Sequence, residues 1–225
     1  MKEPGWKTIE SRIKYKKISI NFVDQMHNKN FLRSEFDNRD DIFEKVMKRL
    51  NITGQSFGKL FEIITSKNYS DFKNTMNNFQ LIETDIMIIF TSLFAHLLLE
   101  EYEFLKNSIL FLIKKETYDV TNDGKKKKID GSESLGLLLS KLQEITHNDD
   151  IKNNLNLELR NAIGHGKWYI ENQQFCYEGK SPEKEIKKLS MGQLFVLQME
   201  LKEFVTVFYE EGFQYAAIIK KRKLY

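Results

Sequence analysis

The chain has 225 residues, of which 41% are hydrophobic and 30% are charged, so it can build one main folded core and lacks the composition of a disordered protein. Its formal charge of +3 permits an RNA substrate without arguing for one. The single cysteine, Cys176, excludes an internal disulfide, and the first residues lack the apolar stretch of a secretory signal, so we expect a cytoplasmic protein.

The first 70 residues have a mixed pattern, and we expect them to form an accessory region before a main domain of residues 71–225. Residues 18–22 alternate between apolar and polar side chains, which predicts a strand. Residues 40–50 carry apolar side chains at three- and four-residue spacing, which predicts a short helix. Residues 60–64 predict a second helix.

A long helical pattern, interrupted at least once, covers residues 71–117 and supplies the expected core. Its longest uncharged run, residues 86–99, has 14 residues, whereas a helix needs roughly 20 to cross a bilayer, so we expect no membrane partner. His96 lies within this run and is expected to be a core histidine. Residues 121–131, which include Asn122-Asp123-Gly124 and several lysines, predict a loop.

The remainder of the chain combines helices with one small hairpin. Residues 134–145 and 151–164 predict helices, the second ending at Gly164 or Gly166, where glycine can adopt the left-handed conformation of a helix cap. Residues 168–177 predict a hairpin, and residues 190–219 a final amphipathic helix. The expected fold class is all-α, an up-and-down helical bundle with a small C-terminal β-hairpin.

Most recognisable catalytic patterns are absent from the sequence. It contains no Cys-x-x-Cys, no His-Glu-x-x-His and no Gly-x-Ser-x-Gly, so we expect no metal, no cofactor and no serine nucleophile. The pattern that remains is Arg160-Asn161, then three residues, then His165. Because the chain has only six arginines, an arginine in a motif is less often accidental.

A helical projection places this motif on one outward arc. With Arg160 at 0°, Asn161 falls at about 100° and His165 at about 140°, and apolar residues occupy the opposite side. Leu157 falls at about 60° on the same arc, where an apolar side chain suggests contact with another surface. We therefore expect a homodimer through this face, with two copies of the motif in one cleft.

The block Leu159-Arg160-Asn161-Ala162-Ile163-Gly164-His165-Gly166, followed by an aromatic hairpin and a final amphipathic helix, resembles the HEPN superfamily. The mark of that family is an arginine, often followed by asparagine, with a histidine a short distance later. The resemblance covers residues 71–219. It implies an up-and-down helical bundle, a dimer with a composite cleft and metal-independent RNA cleavage, often by a toxin or by an abortive-infection effector of phage defence.

The resemblance also bears on partners. It allows an antitoxin or a sensor as a partner protein. Some members that are paired with a nucleotidyltransferase antitoxin carry tyrosine two residues after the motif histidine. This chain has Lys167 there, so we do not expect that particular pairing.

The motif residues suit the chemistry that the resemblance implies. Metal-independent RNA cleavage needs a proton acceptor for the 2′-hydroxyl, a proton donor for the leaving 5′-oxygen and positive charge at the phosphorus. His165 is the expected general acid and base, Arg160 the phosphate clamp, and Asn161 a positioning group. The expected products carry 2′,3′-cyclic phosphate and 5′-hydroxyl ends.

Other residues are weaker candidates. The aromatic and basic residues that follow the motif, and a lysine run, are candidate RNA contacts, although such residues also serve as packing and solvated surface. Glu101 is a candidate carboxylate for orienting His165. The candidate RNA contacts are Lys167, Trp168, Tyr169, Lys125, Lys126 and Lys127.

Two alternatives stay open at this point. One is a catalytically silent HEPN module that binds RNA or a partner protein. The other is a helical scaffold in which Arg160 and His165 only cap the end of a helix and complement its dipole.

Overall fold

In the computed structural model, the described residues are 9–33, 41–65, 70, 73, 74, 78, 83–119, 126–180 and 185–222. They are mainly helical, with two small antiparallel sheets, which confirms the predicted helical class. Within these ranges, no helix is long and apolar enough to cross a membrane.

The elements are numbered in chain order, and a π-helical segment, Phe208–Gly212, separates the last two helices. The helices are α1 Ile9–Asn28, α2 Asp41–Thr65, α3 Glu83–Leu112, α4 Leu135–Thr146, α5 Asp150–Asn153, α6 Leu157–Gly164, α7 Met191–Val207 and α8 Phe213–Arg222. The strands are β1 Thr117–Asp119, β2 Lys126–Lys128, β3 Trp168–Glu171, β4 Gln174–Glu178 and β5 Ile186–Ser190.

The chain divides into two compact units. The first unit comprises Met1–Lys45, Glu101–Leu157 and Met199–Tyr225. The second comprises Val46–Glu100 and Glu158–Gln198 and contains the motif.

In the first unit, α1 packs along the π-helical segment through aromatic rings. Phe22 lies 5.5 Å from Phe208 and Tyr15 lies 5.1 Å from Phe204, measured between ring centroids. Residues of α1 at helical spacing are buried, among them Ile18, Phe22 and Met26. The predicted strand over residues 18–22 is therefore wrong, because a short alternating stretch also fits one side of a helix.

A buried carboxylate orders the turn before α4. Glu133 is only 4% exposed, and its oxygens accept the backbone N–H groups of Asp130 at 3.2 Å and Gly131 at 2.9 Å. Lys141 donates to the same carboxylate at 2.6 Å. Although burial raises the pKa of Glu133, the hydrogen bonds from Lys141 and the backbone lower it more, so the net shift is downward.

In the second unit, β3, β4 and β5 form a sheet in that order, all antiparallel. Asn172 and Gln173 connect β3 to β4 with φ of 48° and 61°, the positive values that a tight two-residue hairpin turn needs. The predicted hairpin is confirmed. Strand β5 was not predicted, because its adjacent lysines, Lys187 and Lys188, hide the alternation of a strand.

The start of α7 has a reciprocal helix cap. The backbone N–H of Gln193 donates to the Ser190 hydroxyl at 3.2 Å, and the N–H of Ser190 donates to the Gln193 side chain at 2.8 Å. This capping box satisfies backbone groups that the first turn leaves without helical partners. The last helix was predicted as one element over residues 190–219, but α7, the π-helical segment and α8 divide it.

Four further predictions need correction. The helices expected at residues 40–50 and 60–64 are one helix, α2, and residues 151–164 form two helices, α5 and α6. Part of the predicted loop is strand β2, which pairs with β1; residues 120–125 lie outside the described residues. His96 is not a core histidine, since its side chain is 54% exposed.

Candidate active site

The motif occupies the last turn of α6, where glycine ends the helix. Gly166 has a φ of +65°, its N–H donates to the Ile163 carbonyl at 3.1 Å, and the N–H of Lys167 donates to the Ala162 carbonyl at 2.8 Å. This pair of bonds is the Schellman motif, with His165 as the last residue before the left-handed glycine. The predicted glycine cap is confirmed at Gly166, and it fixes the backbone that carries His165.

Arg160, Asn161 and Gly164 meet on one side of this turn. Nη1 of Arg160 donates a hydrogen bond to Oδ1 of Asn161 at 3.3 Å. A Cβ atom added to Gly164 would lie 3.9 Å from the same Nη1 atom, so the guanidinium lies over the last turn, beside the residue before His165. At that separation a Cβ atom and the guanidinium would be in ordinary van der Waals contact, so the guanidinium lies close to Gly164 without requiring a glycine there.

The three motif side chains differ in burial. Arg160 is half-buried, whereas Asn161 and His165 are both exposed. The apolar residues between them, Ala162 and Ile163, are buried at 3% and 6% exposure. The helix therefore anchors itself through its apolar side and presents the amide and the imidazole to solvent.

Glu158, in the first turn of α6, ties the motif helix to the sheet. Its carboxylate accepts a hydrogen bond from the backbone N–H of Lys180. It also forms an ion pair with the side chain of Lys187 on β5. The hydrogen bonds from Lys180 and Lys187 lower the pKa of Glu158, so the carboxylate stays ionised at neutral pH. Glu158 was not among the predicted site residues, and its local signal is an acidic side chain in a first helical turn.

The structure separates the three residues that follow the motif. Trp168 is half-buried and stacks on Phe175 at 5.2 Å between centroids, so it belongs to the packed face of the sheet. Tyr169 points to the other face and is 43% exposed. Lys167 is exposed and lies 3.7 Å from the Glu178 carboxylate. Only Lys167 and Tyr169 are open to a ligand.

The remaining predicted residues belong to the first unit. Glu101 is 2% exposed, and its role in orienting His165 stays a prediction. Lys126 and Lys127 are exposed on β2, where Lys127 pairs with Glu144 at 2.7 Å, and Lys125 lies outside the described residues.

Leu157 is half-buried rather than fully exposed. A Cβ atom added to Gly136 on α4 would lie 3.9 Å from its Cδ1 atom, so part of its surface has a neighbour within its own unit. Leu137, the next residue on α4, is 51% exposed and adds apolar surface beside this neighbour. The role of Leu157 in a dimer stays a prediction.

The helix end combines two kinds of group that act on phosphates. A guanidinium supplies permanent positive charge and a planar fork of donors, and an imidazole accepts or donates a proton near neutral pH.

In the described ranges, no group of three or more His, Cys, Asp or Glu side chains is arranged to hold a metal ion. No family model, curated protein or solved structure matches this chain.

Proposed function

We propose that this chain is a metal-independent endoribonuclease of HEPN type, built on an up-and-down helical bundle. One observation supports this most: Asn161, on the last turn of α6, and His165, the residue that follows the helix, are both exposed, and the guanidinium of Arg160 is bonded to Asn161. The RNA cut would be a cellular or phage transcript, and the biological role that of a toxin or a phage-defence effector.

In the proposed reaction, the imidazole of His165 removes the proton from a ribose 2′-hydroxyl. The 2′-oxygen then forms a bond to the adjacent phosphorus, and the bond from phosphorus to the 5′-oxygen breaks. An imidazolium donates the proton that the leaving 5′-oxygen requires, so protons balance over the step. Arg160 stabilises the charge that develops on the phosphoryl oxygens, and Asn161 orients the phosphate or the guanidinium.

The proposal includes a homodimer whose two-fold axis passes near the motif. Such an axis would bring two copies of His165 into one cleft, so that one imidazole accepts a proton while the other donates one. Leu157, at the start of α6, supplies apolar surface for this contact. An antitoxin or sensor protein is a further proposed partner.

The test is cleavage of total RNA by the purified chain in EDTA, followed by analysis of the product ends. We expect 2′,3′-cyclic phosphate and 5′-hydroxyl ends. His165→Asn should lower the rate by about 10²- to 10⁴-fold. His147→Asn is the matched control, because His147 is also an exposed histidine at a helix C-terminus, and it should leave the rate unchanged.

Two outcomes would contradict the proposal in different ways. Products with 3′-hydroxyl ends, or an absolute need for magnesium, would exclude this mechanism. RNA binding without cleavage, equal in the wild type and His165→Asn, would instead favour the catalytically silent module.

A further inference from the structure

A second arginine and histidine pair lies in the second unit, on helices α2 and α3. Arg49 donates from Nε to both carboxylate oxygens of Glu100, at 3.0 and 3.1 Å. His96, one turn before Glu100 on α3, has its Nε2 atom 3.8 Å from the same carboxylate. The three side chains form one cluster around a single negative charge.

The cluster presents its two basic groups and hides its carboxylate. The Glu100 side chain is 9% exposed, whereas the side chains of Arg49 and His96 are each 54% exposed. The ion pair between Arg12 and Glu210 is different, because there the carboxylate is 47% exposed and shares the solvent with its partner. A ligand that approaches Arg49 and His96 therefore meets donors, with the acidic group beneath them.

The buried carboxylate also fixes the guanidinium. A guanidinium has five N–H donors, and only the one on Nε is used by Glu100 among the described contacts. The two Nη atoms carry the other four donors, and they can bind a phosphate through two parallel hydrogen bonds. Because Glu100 holds the Nε side, less side-chain freedom is lost when a phosphate binds.

Two members of the cluster, His96 and Glu100, lie on α3, and α3 contacts the motif helix α6. A Cβ atom added to Gly164 on α6 would lie 3.7 Å from Cδ2 of Leu99, the residue before Glu100. All of these residues are within the second unit. This contact places α3 beside the helix that carries the motif.

We infer that Arg49 and His96, held by Glu100, form a second phosphate-binding site that contacts the backbone of single-stranded RNA next to the motif. This inference rests on the proposed ribonuclease function, because that function supplies the ligand. The site does not take part in the cleavage step. It adds a backbone contact that strengthens binding and sets the register of the strand relative to His165.

The test measures binding of a fluorescent single-stranded RNA of about 16 nucleotides, an upper length for one binding module, to protein carrying His165→Asn. Binding is followed by anisotropy over a series of salt concentrations. Arg49→Gln should weaken binding several-fold and reduce the slope of log affinity against log salt by about 0.7, the value for one phosphate contact on a single strand. His96→Gln should weaken binding in the same direction.

Arg12→Gln is the control, because Arg12 has the same exposure, 55%, and also pairs with a glutamate. It should leave the affinity and the slope unchanged. Arg49→Gln leaves the buried Glu100 carboxylate without its main partner and can therefore lower stability. Melting temperatures are measured for every variant for this reason. His96→Gln changes an exposed side chain, so it tests the site without that loss of stability.

The outcomes separate this inference from the proposed function. If the wild type cleaves RNA but Arg49→Gln and His96→Gln both bind like the His165→Asn parent, the second site is overturned and the ribonuclease stands. An equal loss in Arg12→Gln would also overturn it, since that loss reflects net charge alone. If the wild type does not cleave and Arg49→Gln still lowers affinity and slope, the phosphate site is supported and the ribonuclease fails.

Discussion

The turn around Glu133 and the helix end at Arg160–His165 are both rich in charged and polar groups, yet they use them in opposite ways. Glu133 is 4% exposed and is bonded to Lys141 and to two backbone N–H groups of its own chain. At the helix end, Asn161 and His165 are exposed. Polar groups bonded within the chain stabilise the fold, whereas exposed groups on a fixed backbone are free to act on a ligand.

Among the variants that compare these two regions, Glu133→Gln is expected to have the largest effect on stability. Glu133→Gln removes the charge opposite Lys141, whose side chain is only 17% exposed, and should lower the free energy of unfolding by about 3 kcal/mol. In a domain of this size that corresponds to a fall in melting temperature of roughly 6–12 °C. Below the melting transition, RNA cleavage should be unchanged.

Glu144→Gln is the control for that change. Glu144 also pairs with a lysine, Lys127, but its side chain is 35% exposed and the lysine is 43% exposed. Water screens such a pair, so the loss should stay below about 1 kcal/mol. Equal losses in the two variants would show that burial of Glu133 contributes nothing.

The pH dependence of stability should sharpen the same contrast. The pKa of Glu133 is lower in the folded chain than its ordinary value of 4.5, so its contribution is complete above that value and is lost as the pH falls through the lowered pKa. Calorimetry between neutral pH and about pH 3 should show the wild type and Glu133→Gln converging as the pH falls below that ordinary value. A constant difference over this range would contradict the assignment.

A smaller effect is expected at the cap of α7. Ser190→Ala removes the oxygen that accepts the Gln193 N–H and should cost about 1 kcal/mol, or roughly 2–4 °C in melting temperature. Ser92→Ala is the control, because Ser92 is an exposed serine inside α3 whose hydroxyl donates to the Ile88 carbonyl. Alanine there should be neutral or slightly stabilising.

Features set by short-range rules were predictable from the sequence. A glycine, Gly164 or Gly166, was expected to end the motif helix, and the hairpin of β3 and β4 was expected between its aromatic stretches. Both follow from the conformations that a few neighbouring residues prefer.

Features that are set by packing between distant parts of the chain were not predictable from the sequence. His96 lies in the longest uncharged apolar run of the sequence, but its side chain is exposed and lies beside the Glu100 carboxylate that also holds Arg49. Strand β5 depends on pairing with β4, and two of its lysines find carboxylates on distant residues, Glu158 and Glu171. Such partners are far away in sequence, so local patterns do not reveal them.

Replacing Arg160 with lysine tests the central claim most directly. Arg160→Lys keeps a positive charge near the helix C-terminus, so an arginine that only caps the helix should be replaced without loss. If Arg160 clamps the phosphate, lysine cannot reproduce the planar fork of donors, and the metal-independent cleavage rate should fall by about a hundredfold with little change in melting temperature. An unchanged cleavage rate would contradict the account and reduce the motif to an ordinary helix end.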